Sequence, residues 1–202
     1  DESGTTDTIT VVLNAQPASD VVITVTSSDT GEATVTSPLT FTSANWDTPQ
    51  NVTVTGADDE LVDGTVNSTV TIAIDDANSD DDFDAAADQT VSVSTTDDDV
   101  AGFTVSETEG STTVTEAGST DILNVVLDAQ PDSDVVLSIT SSDTGEATVT
   151  SSLTFTSANW DTAQVVTVTG VDDDLIDGTI TSTTTISVND AASDNNFDAV
   201  AD

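Results

Sequence analysis

The hexapeptide SANWDT occurs twice, carrying first Trp46 and then Trp160, and 160 − 46 = 114. Pro17 recurs as Pro131, Leu61 as Leu175 and Phe83 as Phe197 at the same offset. No insertion or deletion separates the copies, and roughly 70% of the 88 overlapping positions (1–88 against 115–202) are identical. A fixed period marks an array, and a period of this length is a complete domain rather than a solenoid turn. The reading is two tandem domains, 1–100 and 101–202, with the boundary near Val100.

The phase of the repeat adds an expectation. AGFTVSETEGSTTV (101–114) precedes the second copy, and QTVSVSTTDDDV (89–100) closes the first. Neither has a counterpart at the other copy. The chain therefore reads as a window cut from a longer tandem protein, with the first strand absent from repeat 1 and the last from repeat 2. Unpaired sheet edges would follow. Neighbouring repeats, of the same or an adjacent chain, would fill them by strand complementation.

Within each copy apolar residues alternate with Thr and Ser. Ile9, Val11 and Leu13 form one row, Val21, Ile23 and Val25 the next. Leu39 and Phe41, Val52 and Val54, then Val66, Val70, Ile72 and Ile74 follow, and Val91 with Val93 completes the unit. Period-2 alternation predicts half-buried strands, and Thr is a good strand former that stays wet. No helical stripe stands out. Many short strands separated by turns predict an all-β sandwich for each copy. Trp46 and Trp160, isolated aromatics, are expected to plug or cap that core.

Charge narrows the function. The chain has no Lys, Arg or His and 39 Asp and Glu, a formal net charge of −39. Nucleic acid and anionic membranes lack a basic partner here, and His- or Cys-based metal sites lack ligands. Nucleophilic triads have no base. A carboxylate pair could still run glycosidase chemistry, but aromatic sugar platforms are scarce, with 3% aromatic residues and no Tyr. The chain is therefore read as not an enzyme. There is no Cys to form disulfides, and bound metal can serve instead as the staple of a secreted domain. Self-repulsion on this scale destabilises a compact state. Calcium is the hard, oxygen-preferring ion that would relieve it.

Three acidic clusters stand out, two of them present in both copies. Asp58, Asp59 and Asp63 surround Leu61 and precede Gly64, directly after the run NVTVTG; Asp172, Asp173, Leu175 and Asp177 repeat the pattern. Two adjacent Asp with another acid four or five residues on can converge on one hard cation, with a backbone carbonyl between them. Asp97, Asp98 and Asp99 form the second cluster. The third, Asp80, Asp82 and Asp84, matched by Asp194, Asn196 and Asp198, is spaced like the first half of a calcium loop, but the Gly and Glu that would complete it are missing.

Five stretches resemble the Calx-beta family: AGFTVSE (101–107), Val114-Thr115-Glu116, GEATVTSSLTFT (145–156), VTVTGVDDD (166–174) and the triplet 97–99. The resemblance implies an immunoglobulin-like sandwich with calcium at one end. It implies ligands from an acid near the start, from the loop after the fifth strand and from the closing triplet. In this numbering those are Glu2, Asp58, Asp59, the Leu61 carbonyl, Asp63, Asp97, Asp98 and Asp99, and in the second copy Glu116, Asp172, Asp173, Leu175 and Asp177. The acidic loop that the family usually carries after its G-x-A element is absent, since the chain runs straight into TSPLTF.

The expected function is a calcium-rigidified spacer of a large bacterial surface protein, an RTX-type adhesin or a filament, located outside the cell. Any glycan or surface ligand would be bound elsewhere in the parent. A calcium-responsive hinge is a rival reading. Carbohydrate or ice binding by Thr rows such as Thr53/Thr55 and Thr167/Thr169 is another, and an acid-rich halophilic spacer without specific ions a third. Asn51 and Asn67 lie in glycosylation sequons.

Overall fold

The computed structural model describes residues 1–108, 110–176 and 178–200. The chain divides into two compact units. The first is Asp1–Asp59 with Gly64–Asp98, and the second is Asp99–Asp202 with Glu60–Asp63. The short segment joins the second unit through an isolated parallel bridge between Leu61 and Gln130.

The first unit holds β1 (Thr6–Val11), β2 (Val21–Ser27), β3 (Ala33–Val35), β4 (Leu39–Phe41), β5 (Gln50–Gly56), β6 (Thr65–Ile74) and β7 (Gln89–Thr96). They form two antiparallel sheets, β1-β5-β3 and β4-β2-β6-β7. The second unit holds β8 (Phe103–Glu107), β9 (Thr120–Leu127), β10 (Val135–Ser141), β11 (Ala147–Val149), β12 (Ser152–Phe155), β13 (Gln164–Gly170) and β14 (Thr184–Val188). Its sheets are β11-β13-β9-β8 and β12-β10-β14. The chain is thus all-β, with two tandem immunoglobulin-like antiparallel sandwiches.

The alternation in the sequence explains the layers. In β2, Val21, Ile23 and Val25 are buried, while Val22 and Thr24 between them are half-exposed. Val52 and Val54 of β5 do the same from the opposite sheet, and all five join one core cluster with the fully buried Phe41. Val135, Leu137, Ile139 and Phe155 repeat this in the second unit. Trp46 and Trp160 are half-buried against these cores. Their carbonyls accept the N–H groups of Leu13 and Leu127.

The helical signal that alternation could not reveal is small. Among the described residues each unit has two 3₁₀ turns, Asp76–Asn78 and Asp81–Phe83 in the first, Asp190–Ala192 and Asn195–Phe197 in the second. The second of each pair delivers an aromatic to the core. Phe197 is fully buried, and Phe83 packs against its cluster.

Candidate metal centre

One end of the first unit is organised around Gly56, the last residue of β5. Its N–H donates to the Thr5 carbonyl. A Cβ built there would overlap the carbonyl oxygen of Asp1, so only glycine lets the segment before β1 lie against the sheet. That close approach positions Glu2. Its N–H donates to the Thr96 carbonyl at the end of β7, 3.1 Å away, and its side chain is only 1% exposed. Gly170 stands in the same relation to Thr115 in the second unit, next to Glu116.

A second acid is held there by the turn between β2 and β3. The Glu32 carbonyl accepts the Ala57 N–H at 2.8 Å and the Thr95 hydroxyl at 3.4 Å. The Glu32 side chain is 7% exposed. Carboxylate oxygens of Asp59 and of Glu32 each lie within 4.8 Å of the Glu2 carboxylate. Three acids thus gather at one end of a unit whose chain contains no Lys, Arg or His. Oxygen-only ligation from carboxylates suits a hard divalent cation.

The acids named from the sequence are treated unequally by the fold. Of the adjacent pair, Asp59 is half-buried and Asp58 is exposed. Asp97 is half-buried. Its Oδ2 accepts the Gly64 N–H at 2.8 Å, and its own N–H returns to the Gly64 carbonyl; Gly64 takes a φ of 79°. Asp98 is exposed. Asp63 and Asp99 are counted with the second unit, as is Leu61, whose carbonyl accepts the Asp63 N–H.

Sequence reasoning gave no role to Glu32, which the fold places beside Glu2. The available signal was its recurrence as Glu146 in the repeated TGEATV, a run quoted for the resemblance without its acid being given a role.

In the second unit Glu116, Asp173 and Glu146 are half-buried, whereas Asp172 and Leu175 are exposed. Asp177 lies outside the described residues. Among the described residues of this unit no group of three acids converges. The frame itself recurs, since the Glu146 carbonyl accepts the Val171 N–H as Glu32 does from Ala57. In the first unit the wall is closed by β7, to whose end Glu2 is tied.

The third cluster has a structural role. The Asp80 carboxylate accepts N–H groups of Ala18 at 2.7 Å, Ser19 at 2.9 Å and Asp82 at 3.1 Å. It thereby caps the 3₁₀ turn and fastens the β1–β2 loop. The bonds from Ser19 and Asp82 hold its pKa below the ordinary value, against a smaller opposing effect of burial. Asp84, by contrast, is pushed up, first by burial and then by the charges of Asp76, Asp81 and Asp80. Asp194 repeats the cap on Ser133 and Asn196. Asp82 and Asp198 join no group of three converging acids among the described residues. Asp121 on β9 is also held low, by the N–H groups of Thr113 and Ile122.

No family model matches the chain, and no curated protein matches it. Among solved structures, the chain is similar to CBD12 from CALX1.2, with 13% identity, 90% of this chain and 73% of that chain covered, and a TM-score of 0.35. It is also similar to the calcium binding domain CBD12 of CALX1.1, with 16% identity, 83% and 70% coverage, and a TM-score of 0.34.

Proposed function

We propose that this chain is a non-catalytic structural repeat of a long extracellular or cell-surface protein, in which bound calcium stiffens each unit and the units together serve as stalk or spacer. The observation that carries the reading is the burial of Glu2 and Glu32, with Asp59 beside Glu2, at one end of a chain without basic side chains. Crowded carboxylates raise one another's pKa and cost folding energy. A divalent ion reverses that cost. It would also tie the segment before β1 to the β2–β3 turn and to the loop after β5. Copies as alike as these suit a part whose task is length. Neighbouring repeats are the natural partners, and an adhesive tip would reside elsewhere in the parent protein.

A calcium titration followed by melting tests this. An ion bound only to the native state stabilises by RT ln(1 + [L]/Kd), about 2.7 kcal/mol at a hundredfold excess over Kd. Calcium should therefore raise the melting temperature, EDTA should lower it and shorten the mean end-to-end distance, and sodium at matched ionic strength should not substitute. Unchanged melting and dimensions in EDTA would mean that the acids are only a solvated surface.

A further inference from the structure

Glycine directly follows aspartate at two places in the chain, Asp63–Gly64 and Asp177–Gly178, and Asp177 lies outside the described residues. That pairing has a chemistry of its own. The backbone nitrogen of the residue after an aspartate can attack the side-chain carboxyl carbon and close a succinimide ring. A Cβ on the attacking residue shields its nitrogen, and glycine has none.

Asp63 and Gly64 are both exposed. The space where a Cβ of Gly64 would stand holds no atom within 4 Å beyond its chain neighbours. Gly64 also stands outside the β6–β7 ladder, which begins at Thr65. Its N–H donates instead to a carboxylate, Oδ2 of Asp97, at 2.8 Å. The Asp97 N–H donates back to the Gly64 carbonyl at 3.1 Å, which fixes the carboxylate opposite the amide. A general base must stand within about 2.6–3.2 Å of the group whose proton it takes, and Asp97 does. The contrast is Asp121. The Ile122 N–H behind it also meets a carboxylate, at 2.8 Å, but Ile122 is β-branched and held within β9.

We propose that Asp63–Gly64 is a site of spontaneous covalent modification, at which Asp97 promotes closure of a succinimide that reopens to isoaspartate. The Gly64 nitrogen bonds to Cγ of Asp63 as its proton passes to the Asp97 carboxylate. The bond from Cγ to the hydroxyl breaks, and the hydroxyl leaves as water with that proton, which restores Asp97. Water then adds to either ring carbonyl. One opening returns aspartate; the other leaves the backbone running through Cβ and Cγ of residue 63. The isomer adds one backbone atom to the segment that leads into β6 and carries Asp63's carboxylate to a new position. The proposal goes beyond the calcium reading and needs no ion.

The test ages the full chain in EDTA and follows residue 63 with a protease that cuts before aspartate but not before isoaspartate. Cleavage between Val62 and Asp63 should fall with time, and a peptide lighter by one water should appear transiently. The parent should isomerise faster folded than in denaturant, where Asp97 is no longer held at Gly64. Asp97→Asn keeps an oxygen for the Gly64 N–H but cannot take its proton. It should slow the folded rate by about a hundredfold and leave the denatured rate unchanged. Asp63→Glu, whose ring would be one atom larger, should form none. Undiminished cleavage before Asp63 overturns the proposal, as does a folded rate no faster than the denatured one. So does an Asp97→Asn chain that ages like the folded parent, since glycine alone then accounts for the reaction.

Discussion

Glu2→Gln should move stability in opposite directions with and without calcium. The substitution keeps shape and removes one buried charge. With two carboxylates each within 4.8 Å, Glu2 experiences a repulsion of at least about 3.5 kcal/mol per ionised neighbour at an effective dielectric constant near 20. Water and hydrogen bonding absorb most of that gross figure. A net relief of even 1 kcal/mol raises the melting temperature of a domain of about 100 residues by roughly 4–8 °C. In EDTA the variant should therefore melt higher than the parent. In calcium it should lose: a tenfold weaker Kd removes about 1.4 kcal/mol of the ligand's contribution. The assay is thermal unfolding of the first unit followed by Trp46 fluorescence in a Trp160→Phe background, which leaves one tryptophan as reporter. A variant that melts lower in EDTA and keeps the whole calcium increment would refute the charge argument, because Glu2 would then be a structural hydrogen-bond acceptor.

Other outcomes follow from the same geometry. Gly56→Ala should weaken calcium binding by displacing the segment that carries Glu2, whereas Gly170→Ala, with the same overlap against Thr115, should lower melting of the second unit and leave the first unit's calcium isotherm unchanged. Phe41→Ala should destabilise the first unit by about 3–5 kcal/mol, read by denaturant titration, because a fully buried ring leaves a cavity. Asp80→Asn should lower melting above pH 3.8. Because the folded pKa of Asp80 lies below that unfolded value, the carboxylate's contribution is present above it and fades as pH falls through the folded value. The gap between parent and variant should therefore close in acid; a gap that persists at the lowest pH would assign the effect to packing rather than to charge.

The sandwich architecture was legible because alternation survives translation into burial. Val21, Ile23 and Val25 face inward for the same reason that they are spaced by two. The repeat was legible because the offset never changes. The acids were harder. A run such as Asp58–Asp59 announces a cluster, but only the fold decides that Asp59 turns in and Asp58 stays wet. Glu32 carried no local mark, since its partner Glu2 is thirty residues away and meets it only when Gly56 lets the chain cross the end of β5. Asp80 looked like half a calcium loop and is a cap, because three backbone amides reach it first. Thr65–Thr69 belong to a strand whose ladder partner, β7, lies more than twenty residues further along the chain. Sequence by itself determines periodicity, composition and the charge that must be balanced, which are local or summed properties. Which carboxylates converge, and which residues share a ladder, are decided by long-range pairing, because hydrogen bonds and Coulomb forces act between groups that only the tertiary structure brings together.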